Sequence, residues 1–172
     1  SGGLSRPYGM IYGPNGDLFV SSSFGDAILR YNGQTGAFIS TFVTAGSGGL
    51  DEARGLTFGP DGNLYVNSYN TDQVKRYNGT TGAFIDDFVL STTGLNGPHT
   101  SLLFGPDGFL YVASLDHDKV MKCHGNNGTL VSSYDFSIFS ELSGADFGPR
   151  AMVFGPDGNL YVGVRTNNIY KI

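Results

Sequence analysis

Phe58-Gly59-Pro60-Asp61-Gly62-Asn63-Leu64-Tyr65-Val66 decides the fold of this 172-residue chain, because it sets a tight turn between two short apolar runs and then recurs. Proline presets φ at the second turn position, aspartate can bond its own backbone at the third, and the following glycine accepts positive φ without a steric penalty. The flanking runs, Leu56-Thr57-Phe58 and Leu64-Tyr65-Val66, are rich in aromatic and branched residues, so they read as paired antiparallel strands, A and B. The turn returns at Gly13-Pro14-Asn15-Gly16, Gly105-Pro106-Asp107-Gly108 and Gly155-Pro156-Asp157-Gly158. Gly13 to Gly59 and Gly59 to Gly105 are each 46 residues, and Gly105 to Gly155 is 50. A period of that length marks a stacked or ring architecture of repeated units.

Each repeat carries four short strands. The first reads Tyr8 to Tyr12 (A), Asp17 to Ser22 (B), Ala27 to Asn32 (C) and Ala37 to Val43 (D), with Asn32-Gly33-Gln34-Thr35-Gly36 turning C into D. The second and third reproduce this, and the fourth ends at Ile172 before any D strand, so fifteen strands are expected. Strand A is apolar at successive positions, as in Met10-Ile11-Tyr12 and Met152-Val153-Phe154, whereas a sheet with one wet face would alternate with polar residues. Each sheet therefore needs cover on both faces. Four-stranded sheets stacked face to face at this period are the blades of an all-β β-propeller, here spanning approximately residues 6–46, 52–92, 98–137 and 148–172.

Composition agrees with one folded β domain: 40% hydrophobic, 13% aromatic, 27 glycines and no tryptophan. No run approaches the ~20 apolar residues of a membrane-spanning helix. The net charge of −5 is spread thinly and no basic stripe exists, which argues against nucleic acid and anionic membrane as partners. The single cysteine, Cys123, excludes an internal disulfide and occupies the position of Tyr31, Tyr77 and Ile172, so it reads as a buried filler. Ser1-Gly2-Gly3-Leu4 matches Ser47-Gly48-Gly49-Leu50, so the chain opens in mid-repeat and reads as a processed or truncated segment. Asn78-Gly79-Thr80 and Asn127-Gly128-Thr129 fit the glycosylation pattern, but Asn-Gly is equally a turn signal.

The run from Gly62 to Tyr77 resembles the NHL repeat, with its glycine, its Leu-Tyr-Val strand, and an acidic and a basic residue on the next segment: Asp26 with Arg30, Asp72 with Arg76, Asp118 with Lys122. The resemblance covers almost the whole chain and extends to the wider group that includes streptogramin lyases. Ser21, Asn67 and Ala113 depart from the usual pattern just after the Tyr-Val or Phe-Val pair. The resemblance implies a propeller and leaves activity open.

In a propeller, strand A lines the channel, the A–B and C–D turns share one face, and the D–A and B–C connections share the other. The uniform Pro-Asp-Gly and Asn-Gly turns read as structural. The variable connections include Ser23-Phe24-Gly25-Asp26, Tyr69-Asn70-Thr71-Asp72 and Leu115-Asp116-His117-Asp118, and variation between repeats is where individual function can sit. The candidate ligand-binding set at the channel mouth is Arg6, Arg54, His99, Asp116, His117 and Arg150, with the arginines just ahead of strand A. Each has a structural alternative: an arginine there can clamp the neighbouring blade, Asp118 matches a repeat-wide loop position, and a lone histidine can simply fill and hydrogen-bond. No nucleophile triad, phosphate loop or metal-ligand spacing is present, so no catalytic residue, cofactor or metal is assigned.

Two functions follow as expectations. One is a non-enzymatic scaffold presenting its D–A/B–C face to a protein or carbohydrate, in an extracellular or periplasmic setting. The other is a lyase or lactone-hydrolase-type enzyme, with His99 or His117 as base and Arg54 or Arg150 steadying an anion. Because the blades at either end would expose apolar faces, the ring is expected to be completed by another copy of the chain or a further propeller segment, with a closed four-bladed monomer as the competitor.

Overall fold

A computed structural model describes residues 2–137 and 148–172. The first sheet holds β1 (Pro7–Tyr12), β2 (Leu18–Ser22), β3 (Ala27–Tyr31) and β4 (Phe38–Val43), and the second β5 (Ala53–Phe58), β6 (Leu64–Ser68), β7 (Gln73–Tyr77) and β8 (Phe84–Val89). The third holds β9 (Pro98–Phe104), β10 (Leu110–Ser114), β11 (Lys119–Cys123) and β12 (Leu130–Asp135), and the fourth β13 (Pro149–Phe154), β14 (Leu160–Val164) and β15 (Ile169–Lys171). All pairings are antiparallel between sequence neighbours. The chain is an all-β propeller of four blades whose last blade has three strands.

The repeated turn adopts the geometry its residues favour. Asp61, Asp107 and Asp157 each accept the backbone N–H two residues on, at 3.1, 3.3 and 3.2 Å, and Gly16, Gly62, Gly108 and Gly158 take φ between 76° and 81°. The aspartates also accept the tyrosine hydroxyl of the following strand: Tyr65, Tyr111 and Tyr161 donate at 2.9, 2.8 and 2.8 Å. The basic residue of strand C closes the same cluster. Lys122 pairs with Asp107 at 2.8 Å, Lys171 with Asp157 at 2.9 Å and Arg76 with Asp61 at 3.7 Å, while Arg76 also holds Asp86 of β8 at 2.6 Å.

The three largest buried clusters lie between blades, and a smaller fourth (Val20, Ala27, Leu29 and Tyr31) lies on the first blade alone. Phe19, Ile28 and Val43 of the first blade pack against Leu56, Leu64 and Tyr77 of the second, and the same layer recurs between the second and third and between the third and fourth. At each junction an aromatic ring on strand B meets the last ring of strand A in the next blade, edge to face. These pairs are Phe19–Phe58, Tyr65–Phe104 and Tyr111–Phe154, at 5.2, 5.0 and 5.2 Å between centroids. Cys123 is fully buried in the second layer, and burial pushes its thiol up to about 12.

One expectation needs correction. Strand A begins earlier than the apolar pattern suggests, so Arg54, His99 and Arg150 sit inside β5, β9 and β13 rather than ahead of them. The added residues are joined through a break in register, between Pro7 and Met10 and between Ala53 and Leu56 for example. There, Ser21 stands in for a ladder bond, since the Gly9 N–H donates to its Oγ at 2.8 Å, while Asn67 Nδ2 reaches across to the His99 carbonyl of the next blade at 2.7 Å. Bonding of that kind leaves no apolar periodicity to read. It also draws the inner strands together, since a Cβ on Gly55 would lie 2.7 Å from the Thr100 carbonyl oxygen.

Candidate functional site

The D–A and B–C connections are tied to each other across blades. Asp26, Asp72 and Asp118 all adopt left-handed φ near 50°, closing short 3-10 turns. Asp26 Oδ1 accepts the Glu52 N–H at 2.7 Å, and Asp72 Oδ1 accepts the Gly97 N–H at 2.8 Å. The repeated position of Asp26 and Asp72 thus serves blade-to-blade attachment.

Arg54 and His99 come together at the inner end of this face. The Arg54 guanidinium carbon lies 3.2 Å from the centre of the Tyr69 ring and 5.0 Å from that of Tyr8. Its Nη2 donates to Glu52 at 2.8 Å, while its Nε and the Oδ1 of Asn67 are buried without a hydrogen-bond partner among the described residues. His99 is 5% exposed, with the Tyr8 ring edge-on at 5.4 Å and Tyr69 at 6.2 Å. Thr100 commits its hydroxyl proton to the Arg150 carbonyl at 2.8 Å, so its oxygen is left to accept from His99 Nδ1 at 3.3 Å. Burial, followed by the charges of Arg54, Arg150 and Arg165, lowers His99 to about 4. The imidazole is neutral at pH 7.

Asp116 joins this group through Tyr69, whose hydroxyl donates to it at 2.8 Å; that bond, then burial, raises the phenol above its usual range. His117 stands apart. Its Nδ1 donates to the Gly94 carbonyl at 3.1 Å, which leaves Nε2 to accept from Asn96 at 3.0 Å, so both ring nitrogens are engaged. Arg6 lies at the rim, 3.8 Å from Glu52, with its guanidinium 4.6 Å from the centre of the exposed Phe24 ring. Arg6 and Arg54 therefore share Glu52, and Ser23 Oγ donates to the same carboxylate at 3.2 Å. Among the described residues, no group of three or more His, Cys, Asp or Glu is arranged to hold a metal.

The candidate residues thus fall into a buried pair (Arg54 and His99) flanked by the exposed Asp116 and Arg150, a rim residue (Arg6) and a separate loop tie (His117). Sequence reasoning missed Glu52, Tyr8 and Phe24 as members. Glu52 occupies the repeat position of Arg6, and that alignment was the available signal, since a carboxylate in place of an arginine marks a site where charges meet. Next to Phe24 and Glu52 lies a hollow of about 230 Å³ lined by Ser23, Asp26, Asp51 and Asn70 as well.

No family model and no curated protein matches the sequence. Among solved structures, virginiamycin B lyase from Staphylococcus aureus aligns over 96% of this chain and 55% of its own, with TM-score 0.69 and 14% identity. A streptogramin B lyase aligns over 97% and 54%, with TM-score 0.71 and 20% identity. A candidate 6-phosphogluconolactonase from Bacteroides uniformis aligns over 96% and 50%, with TM-score 0.69 and 20% identity. The chain spans about half the length of these solved chains. In fold, it is a β-propeller of the type that the streptogramin B lyases carry.

Proposed function

We propose that this propeller is a non-enzymatic binding scaffold whose D–A/B–C face engages a protein or carbohydrate. The observation that carries the reading is the Arg6–Phe24 stack beside the hollow of Ser23, Asp26, Asp51, Glu52 and Asn70. Phe24 is 65% exposed and offers an aromatic platform, while the hollow offers carboxylate and amide groups that suit hydroxyls or backbone amides. The histidines give less support to proton transfer. His117 has both nitrogens engaged, and His99, lowered to about 4, is far weaker than a base working near neutral pH requires.

Glycan-array binding, together with capture of a defined protein panel, tests the proposal. Binding abolished by Phe24→Ala and retained by His99→Ala and His117→Ala supports it. A blank on both platforms overturns it. A second reading, an enzyme of the lyase or lactone-hydrolase type, draws on the shared position of Arg54 and His99 between Tyr8 and Tyr69 and on the named activities of the similar structures. Turnover of a streptogramin B or of 6-phosphogluconolactone that is lost in His99→Ala would replace the scaffold reading with that one.

A further inference from the structure

The two end blades break the packing rule that the inner blades obey. Inner strands pack in the order β1, β5, β9 and β13, and no comparable packing joins β13 back to β1. Met10 is 65% exposed although its equivalents Leu56 and Leu102 are 7% and 6% exposed. Tyr12 holds the strand position of Phe58, Phe104 and Phe154, each of which enters the preceding blade, yet it is 63% exposed and has no ring partner among the described residues. Leu4 packs beside Leu18 and Val20 on this leading face but leaves β1 open.

The fourth blade shows the complementary gap. Tyr161 holds the position of Phe19, Tyr65 and Tyr111, the rings that receive the aromatic of the next blade, and among the described residues it receives none. Val153 and Ile169 on the same face are 63% and 75% exposed. Together with Ala151, Met152 and Gly163 these residues line an apolar hollow of about 230 Å³. One end of the chain carries an unplaced ring, and the other carries the unfilled seat for such a ring.

We propose that two copies of this chain close head to tail, with Tyr12 of each entering the hollow beside Tyr161 and Val153 of the other. A second copy is favoured because both halves of the contact are present on one chain, because they differ, and because the three internal junctions already show how they fit. A contact between unlike faces repeats at both junctions of such a pair and closes a ring about a two-fold axis.

Light scattering on the 172-residue chain tests this, with an expected mass twice 18.3 kDa. Tyr12→Glu damages only the leading face and Val153→Glu only the trailing one, and both positions are exposed enough to keep the fold, checked by circular dichroism. Each variant alone has both junctions damaged and is expected to be a monomer. Their equimolar mixture has one intact junction and is expected to regain a pair. A wild-type chain still monomeric at roughly 100 µM, where micromolar affinity would give pairs, overturns the proposal and assigns the faces to further blades on one polypeptide. Assemblies that grow beyond two copies, a Val153→Glu variant that pairs on its own, or a mixture that stays monomeric each overturn the head-to-tail ring.

Discussion

Replacing His99 with glutamine is expected to remove a large part of the acid sensitivity of this fold. The unfolded histidine titrates at 6.5, whereas in the folded chain burial and then Arg54, Arg150 and Arg165 hold it at about 4, with Asp116 opposing them. Between these values the unfolded chain binds a proton that the folded chain does not, so stability rises with pH across the window. The contribution is fully present above pH 6.5 and is lost as pH falls through 4. Each unit is worth about 1.4 kcal/mol, which makes the full effect about 3 kcal/mol. At a urea dependence of about 2 kcal/mol per molar, the wild-type midpoint falls by roughly 1.5 M between pH 7 and pH 4. His99→Gln also loses ring contacts with Tyr8 and Tyr69, so its midpoint at pH 7 is lower; the informative quantity is its flatter slope with pH. Asp118, raised by burial, titrates with the opposite sign and is common to both proteins. Urea unfolding at pH 7, 5.5 and 4, at one fixed protein concentration, supplies the comparison. Parallel pH curves for the two proteins would refute the assignment of a buried, neutral His99.

Gly82 has φ of +74° and a Cβ there would run into the Phe42 carbonyl of the preceding blade, so Gly82→Ala is expected to cost about 3 kcal/mol in urea unfolding. Gly36, its counterpart at the free edge, has φ of +69° and nothing within 4 Å, so Gly36→Ala is expected to cost only about 1 kcal/mol. Lys75 is 2% exposed and donates to Asp87 at 2.7 Å and Gln73 at 2.9 Å, so Asp87→Ala strands a buried cation and is expected to cost about 3 kcal/mol, against less than about 1 kcal/mol for Lys75→Met. Comparable losses for the two variants in thermal unfolding would show that the pair is stabilising in its own right. Tyr69→Phe removes the bond to Asp116 while keeping the ring that stacks on Arg54, and is expected to lower stability by about 1 kcal/mol in the same assay.

How far the sequence reaches is clearest at the turns. Pro60-Asp61-Gly62 specifies its own conformation through φ preference and a bond spanning two residues, so hairpins, strand number and period were legible without tertiary information. The apolar run of strand A likewise announced that its sheet is covered on both faces. The start of strand A was not legible, because the register breaks there, with Ser21 bonding the Gly9 N–H and Asn67 the next blade's His99 carbonyl, and the residues involved follow no alternation. The repeat pattern set Arg54 and His99 near the start of strand A and Asp116 in a B–C connection, and those two kinds of connection share one face of a propeller.

Tertiary structure alone decided which of those residues touch. Glu52 became a shared partner of Arg6, Arg54 and Ser23 because Asp26 of the preceding blade holds its backbone in a left-handed conformation, an interaction between blades that no short window of sequence contains. The low pKa of His99 arises from burial and from three arginines on separate segments, so it is a property of their convergence. The exposure of Tyr12 and Val153 is also a tertiary fact: Tyr12 matches the partly buried Phe58, Phe104 and Phe154, Val153 matches the partly buried Ile11 and Leu103, and only the position of each blade in the arc determines whether a neighbour covers them.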